Sequence, residues 1–384
     1  SIYLLMDPRL QSISDEGELI RFTLQDIHVS LANAIRRTIL SDIPIIAIRT
    51  ESYETNQCHI HTNTGRLHNE ILKQRISCIP IHSKRMQDDD DGKTLLNNYQ
   101  LEVHVKNESD NMRFVTTEDF HIKEKNGSTV LSKDAQQQLF PNLFPKNPIT
   151  QSYIDFSRLR PKMGEGLAGE ELHLTADFSV ATAKENSMFN VVSKCSYGNT
   201  RDEAKVNEVW EAQARSLKEA GESEEDIRFQ KANYMILDAQ RQFVENSFDF
   251  VIQTLGVYDC RELVRKACIV LQNKFIDFIQ NLDSDIVPIG MSETTVANSY
   301  DMTLEDEDYT MGKCIEFVVY SKYYEGSKQL SFCGFRKFHP HDNHSKLRIA
   351  FEKKGDKSDV KKCVREACVE IQEVFTKIFQ MFKE

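Results

Sequence analysis

Two periods of hydrophobic and polar residues run along this chain, and the changes between them mark its elements. Ile20, Phe22 and Leu24 alternate with polar residues and predict a strand from Ile20 to Leu24. The spacing then turns helical. Leu31, Ala34, Ile35, Thr38 and Ile39 share a face, which predicts a helix from Ser30, as N-cap, to Ser41, with Pro44 just beyond it. Ile46 and Ile48 open another strand. From about Tyr53 to Gly169 the texture changes: Tyr99, Leu101, Val103 and Val105 alternate, Asn126-Gly127 is a hairpin signal, and prolines punctuate the stretch from Pro141 to Pro161. This reads as a loop-rich, mostly β insertion.

Alternation returns at Leu172, Leu174, Ala176, Phe178 and Val180. Thr200 to Glu203 reads as a capping box opening a helix with Val206, Trp210, Ala214 and Leu217 inward. Gly221 ends it, and a second helix is expected from Ser223 to Gln242. Phe248, Phe250 and Ile252 make a strand, and Val264, Ala267, Leu271, Phe275, Phe278 and Leu282 stripe a long amphipathic helix. Asp283 to Thr294, polar and holding Pro288 and Gly290, reads as a linker. Beyond it the pattern recurs in miniature: an extended stretch to Leu304, a helix from Asp308 to Tyr323, strands at Leu330–Phe335 and Leu347–Phe351, and a last helix striped by Val360, Val364, Ala367, Ile371, Val374, Ile378 and Phe382. Each half has an early short helix and a late long one.

Composition narrows the function. The 384 residues are 40% hydrophobic and 28% charged, enough for a sizeable core without metal or disulfide staples. The net charge of −11 argues against a surface that grips nucleic acid on its own, since phosphate binding needs a concentrated cationic face. No apolar run approaches the roughly 18 residues of a membrane span. The patch Ile2 to Met6, followed by Asp7, lacks the basic start and length of a signal peptide. Nine irregularly spaced cysteines without a C-x-x-C read as free thiols in a reducing, cytoplasmic compartment.

Candidate chemistry is sparse. Neither a Gly-rich phosphate loop nor a G-x-S-x-G elbow occurs. Cys58, His59, His61 and His68 form one cluster, and His339, His341 and His344 with Cys333 another. Neither has a second ligand pair at metal spacing. The run Asp88 to Asp91 reads as a solvated loop, because four adjacent carboxylates cannot all converge on one octahedral ion. A metal-dependent enzyme therefore has no anchored constellation, and a free-standing interaction scaffold stands as the other alternative.

Three segments carry a resemblance. The first is the helix from Leu31 to Pro44, with Asn33, Ala34, Ile35, Arg36, Arg37 and Leu40. The second runs from Leu67 to Ile81, with Glu70, Arg75, Ile79 and Pro80, and has Asn69 and Gln74 where an acid and a histidine are usual. The third comprises Glu307 to Lys313, with Asp308, Thr310 and Gly312, and Gly334 to Pro340, ending in His339-Pro340. Leu159-Arg160-Pro161, Gly169 to Leu174 and Ala183 to Asn186 match more loosely, with Asn186 in place of a histidine. Together they resemble the alpha-like subunits of multisubunit DNA-directed RNA polymerases: the bacterial alpha subunit, archaeal D and L, and the third- and eleventh-largest subunits of eukaryotic polymerase II.

The resemblance implies an α+β fold of two alpha-like dimerisation units, each a mixed sheet plus helices, fused as an intramolecular pseudo-dimer. The first would span 1–52 and 172–282, interrupted by the β-rich insertion 53–171. After the linker 283–294, the smaller second unit would span 295–384. It implies a seam of Val264, Leu271, Phe275 and Phe278 against Val364, Ile371, Phe375 and Ile378. It assigns Asn33, Arg36, Arg37, Leu40, Glu70, Arg75, Pro80, Asp308, Thr310, Gly312, His339 and Pro340 to partner contacts, with Arg36, Arg37 and Leu40 on the second-largest subunit and the Glu307–Lys313 helix start on the largest. Thr310 and Gly312 would also serve as a cap and a close approach. The function implied is a non-catalytic assembly platform for transcription, meeting DNA only through the complex, with no membrane and with small polymerase subunits as further partners. The family's zinc or Fe–S site is expected to be absent, since no cysteine lies between Ile79 and Lys194, and Mg²⁺ would belong to the large catalytic subunit. Fusion of the two units points to a large nucleocytoplasmic DNA virus, hence a virus factory and virion.

Overall fold

The computed structural model describes residues 6–82, 96–127, 129–162, 164, 166 and 168–383. The run Asp88 to Asp91 lies outside the described residues. Two compact units divide the chain: Ser1–Ile39, Val192–Gln253 and Cys260–Glu384 form one, and Leu40–Val191 with Thr254–Asp259 the other.

The first unit opens with β1 (Arg9–Asp15) and β2 (Leu19–Gln25), an antiparallel pair. Ile20, Phe22 and Leu24 are buried, as alternation requires. β1 is almost wholly exposed and carries no apolar alternation, which is why the sequence pattern misses it. α1 (Val29–Ser41) buries Leu31, Ala32, Ala34, Ile35, Thr38 and Ile39. Its first turn is capped not by Ser30 but by His28, whose Nδ1 accepts the Ser30 N–H at 3.2 Å.

In the second unit β3 (Ile45–Ala47), β4 (Cys58–Asn63) and α2 (Asn69–Cys78) precede β5 (Tyr99–Lys106), β6 (Arg113–Thr116) and β7 (His121–Glu124). The short helix α3 (Lys133–Leu139), β8 (Asp155–Leu159), β9 (Glu171–Asp177) and β10 (Ser179–Ala181) follow. The main sheet has the order β4-β9-β5-β7, entirely antiparallel. One face buries Leu101, Val103, Val105, Leu172, Leu174 and Ala176 in a core shared with Leu72, Ile76, Phe120 and Phe156. β3 pairs with β10. By its internal contacts this unit takes in the stretches 40–52 and 172–191 as well.

The chain re-enters the first unit through β11 (Val192–Arg201). α4 (Glu203–Glu219) and α5 (Glu224–Ile236) form a helical hairpin around Val206, Trp210, Tyr234 and Ala239. The cap of α4 is Asp202, accepting from Lys205 N–H at 3.0 Å, rather than a box begun at Thr200, which remains in β11. α5 stops at Ile236, short of Gln242, and a 3₁₀ turn follows it. β12 (Phe243–Thr254) and α6 (Cys260–Asp283) complete the half. Next come β13 (Ile289–Met291), β14 (Ser299–Glu305), α7 (Tyr309–Val319), β15 (Leu330–Arg336), β16 (His344–Phe351) and α8 (Lys357–Met381). The stretch 283–294 is thus not a bare linker: β13 lies within it and pairs with β14. α7 ends at Val319 and widens into a π-helical segment, Tyr320–Gly326.

The two halves repeat one topology. The sheets have the orders β1-β2-β12-β11 and β13-β14-β16-β15, so in each the first two strands precede a short helix and the last two precede a long one. The helices agree residue by residue. Leu31, Ala34, Ile35 and Ile39 in α1 stand where Met311, Cys314, Ile315 and Val319 stand in α7, and all eight are buried. Val264, Ala267, Cys268, Leu271 and Phe275 in α6 correspond to Val364, Ala367, Cys368, Ile371 and Phe375 in α8.

α6 and α8 pack antiparallel. Phe275 stacks on Phe375 at 6.3 Å between centroids, Gln272 donates to Thr376 Oγ1, the Arg265 guanidinium lies 5.1 Å from the Phe379 centroid, and Arg365 pairs with Asp283. Val264, Leu271, Phe278, Val364, Ile371 and Ile378 are buried along the same two helices. Removing a fully buried ring from such a seam costs the transfer energy plus a cavity. Phe375→Ala is expected to destabilise the chain by about 3–5 kcal/mol, measured as a lower urea midpoint. A loss below about 1 kcal/mol would show that this seam does not hold the unit together.

Candidate functional site: the short-helix pair

α1 and α7 lie side by side and antiparallel in the first unit, and each is capped by the residue that also binds its neighbour. Asp308 caps α7 by accepting Thr310 N–H at 2.8 Å. Its other oxygen accepts from Arg37 Nη2 at 2.6 Å, and Arg37 Nε donates to Thr310 Oγ1 at 2.7 Å. At the opposite end His28 caps α1, and its ring stacks on Phe317 with centroids 3.5 Å apart. Between the ends the Cys314 thiol points to Ser30 O at 3.6 Å. Helix register makes His28 the counterpart of Asp308, and Arg37 that of Phe317. One end is therefore ionic and the other aromatic.

The electrostatics follow from these partners. Burial opposes the charge on Asp308, but the Thr310 hydrogen bonds and the Arg37 guanidinium outweigh it and hold the carboxyl below its ordinary range. Burial against Phe317 pushes the His28 imidazole down to about 4, so the ring is neutral at pH 7.

This geometry redistributes the residues that the family pattern marks. Arg37, Asp308 and Thr310 are bonded to one another inside the unit. Asp308, not Thr310, is the cap, and Thr310 is only 5% exposed. Gly312 is buried under an aromatic ring: a Cβ there would lie 2.0 Å from Phe335, so only glycine fits. Asn33, Arg36 and Leu40 keep partial exposure on the outward face of α1, where Arg36 Nε donates to Asn33 Oδ1 at 3.0 Å. Beside them is a cavity of about 450 Å³ lined by His28, Val29, Asn33, Tyr197, Phe317 and Tyr320. His339 and Pro340 are exposed on the turn between β15 and β16.

In the second unit Glu70 is exposed in the first turn of α2, and Pro80 is partly exposed just beyond the helix. Arg75 donates to Asp155 O at 2.7 Å and so ties α2 to β8. Gly169 has no room for a side chain either, since a Cβ would lie 1.7 Å from Asn107 O. Glu185 pairs with Arg49 at 2.6 Å, and Asn186 donates to Glu51. Neither Gly169 nor Arg49 is visible to periodicity. Both are set by approaches between residues distant in sequence.

Among the described residues no group of three His, Cys, Asp or Glu side chains is arranged to hold a metal ion. His61 bonds Thr175 Oγ1, Cys58 is buried, and the His339 and His341 rings meet edge-on at 5.1 Å. All nine cysteines are free and only Cys78 is exposed; burial pushes the Cys195 thiol up to about 12. No described helix is long and apolar enough to cross a membrane.

A duplicated sheet-and-helix fold sealed by paired helices defines a dimerisation fold. The chain belongs to the RNA polymerase Rpb3/Rpb11 dimerisation domain family, whose description it matches over residues 21–275. It is 24% identical over 312 residues to human DNA-directed RNA polymerases I and III subunit RPAC1, covering 70% of this chain and 83% of that protein. It is 26% identical over 202 residues to the DNA-directed RNA polymerase subunit Rpo3 of Thermoplasma volcanium, covering 51% and 65%, respectively. Over 72 residues it is 33% identical to the Rpo3 of Pyrococcus furiosus, 19% of this chain and 25% of that one.

Two predictions follow from the helix ends. The Arg37–Asp308 pair is about one-third exposed on both sides (35% and 32%), so its coupling is discounted to about 1 kcal/mol. A double-mutant cycle of Arg37→Gln and Asp308→Asn reads it in urea midpoints, and zero coupling contradicts a closed clamp. His28 has its folded-state pKa depressed from 6.5 to about 4, so its stabilising contribution is complete above pH 6.5 and is lost as pH falls toward 4. His28→Asn keeps a capping acceptor but does not titrate, and should flatten that part of the stability–pH curve.

Proposed function

We propose that this chain is a non-catalytic assembly platform of a multisubunit DNA-directed RNA polymerase. In this reading it carries in one polypeptide the two alpha-like halves equivalent to the third- and eleventh-largest subunits of polymerase II. The observation that carries the proposal is the duplicated topology sealed within one unit by Phe275 on Phe375 and Arg37 on Asp308. The family match covers the first half, and the second half supplies the same arrangement of strands and helices. Covalent linkage raises the effective concentration of one half for the other to about millimolar, so no separate small partner is needed to complete the dimer.

Docking then falls to surfaces the seam leaves open. Asn33, Arg36 and Leu40 form the face for the second-largest subunit. Arg36 suits bidentate pairing with a carboxylate, whereas Arg37 is already engaged. The exposed Tyr309 and partly exposed Lys313 at the start of α7 and the His339-Pro340 turn form the face for the largest subunit, and Glu70 and Pro80 add a contact from the second unit. The large subunits supply Mg²⁺ and nucleotidyl transfer, and this chain binds no zinc or Fe–S centre of its own. A large nucleocytoplasmic DNA virus as source, with assembly in the cytoplasm and carriage in the virion, belongs to the same proposal.

Affinity purification of the tagged full chain from its producing cells tests the reading. The expected result is two chains far larger than 44.4 kDa at equal stoichiometry. A lone chain, or unrelated partners, would make it a free-standing scaffold. Arg36→Glu is expected to lower recovery of the large chains at least tenfold, with the free energy of unfolding in urea changed by less than about 0.5 kcal/mol. Full recovery would remove Arg36 from the interface.

A further inference from the structure

The outward face of the β4-β9-β5-β7 sheet carries a row of imidazoles. His104 and His173 are direct cross-strand partners, and their rings stack at 4.3 Å. His61 meets the other side of His173 at 4.6 Å. Two of the three rings have a carboxylate in reach: His104 Nε2 lies 2.9 Å from Glu171, and His173 Nε2 lies 3.4 Å from Glu102, which Lys123 also holds at 2.9 Å. His61 has only the Thr175 hydroxyl, at 2.9 Å. The rest of the face presents His59 from β4, Asp177 from β9, Lys106 from β5 and His121 from β7.

The backbone at His61 is already irregular. β4 is the edge strand, and its register against β9 shifts between Ile60 and Thr62, so His61 is the extra residue of a bulge. A bulge on an edge strand is where pairing ends most readily. The row has carboxylates to balance two charges and none for a third, and a charged His61 would face His173, His59 and Lys123.

We propose that His61 is a proton-operated latch on the edge of this sheet: neutral, it closes the imidazole row and holds β4 on β9; protonated, it is expelled from the row and loosens β4. Slight burial of the largely exposed His61 ring, then the charges of His173, His59 and Lys123, hold this imidazole below its ordinary range despite Glu102. A histidine depressed in this way stabilises its strand fully above pH 6.5 and loses that contribution as the pH falls through its lowered folded-state value.

Hydrogen exchange of the full chain, corrected for the intrinsic rate at each pH, tests this on the amides of β4 against those of β5 and β7. Between pH 7 and pH 5 the protection of β4 is expected to fall at least about twofold, with β5 and β7 unchanged. His61→Gln should hold β4 protected at both values, and His61→Lys, with a fixed charge, should leave it loosened at pH 7. Protection of β4 independent of pH, or acid loosening that persists in His61→Gln, would overturn the latch. So would protection at pH 7 that rises with added Zn²⁺ and is lost with EDTA, since the row would then be a metal site.

Discussion

Everything in the first unit depends on the contact between the two long helices. A four-stranded sheet with one helix on one face leaves apolar surface that neither half can bury alone. Phe275 and Phe375 sit where α6 and α8 cross, and their stack is flanked by aligned Val, Ala, Cys and Leu or Ile positions in both helices. Each helix therefore serves as the missing layer of the other's half. The short helices α1 and α7 then meet alongside, and their contacts select the register that the long helices permit.

That arrangement explains why the marked polar residues fall into two classes. Arg37, Asp308, Thr310 and Gly312 belong to the closure of the unit, through an ion pair, a cap and a close aromatic approach. Asn33, Arg36 and Leu40 are left facing outward.

Much of this was legible in the chain itself. The stripes at Leu31–Ile39, Val264–Leu282 and Val360–Phe382 bury what their period says they should. The alternation at Leu101–Val105 and Leu172–Ala176 places the core face of the second unit. Features without an apolar period were not legible. β1 and β13 are largely exposed edge strands without an apolar alternation, and β13 turns a supposed linker into sheet. Caps moved by a few residues, to His28, Asp202 and Asp308, because a cap is chosen by the geometry of the turn as well as by residue type. The partner of Arg37 is remote in sequence, and no spacing rule reaches it. The match of Val264, Ala267, Cys268 and Phe275 to Val364, Ala367, Cys368 and Phe375 is visible once the chain is compared with itself, a signal that periodicity alone passes over.

The unlike ends of the short-helix pair have a consequence for inheritance. In a dimer of identical chains every substitution enters twice, so a residue that suits one end must also be tolerated at the other. Here Asp308 and Arg37 occupy one end while His28 and Phe317 occupy the other, each encoded once. Each end is therefore free to drift on its own. A symmetric ancestor on this plan could have acquired two different faces by point mutation, without first solving how to avoid pairing with its own copy.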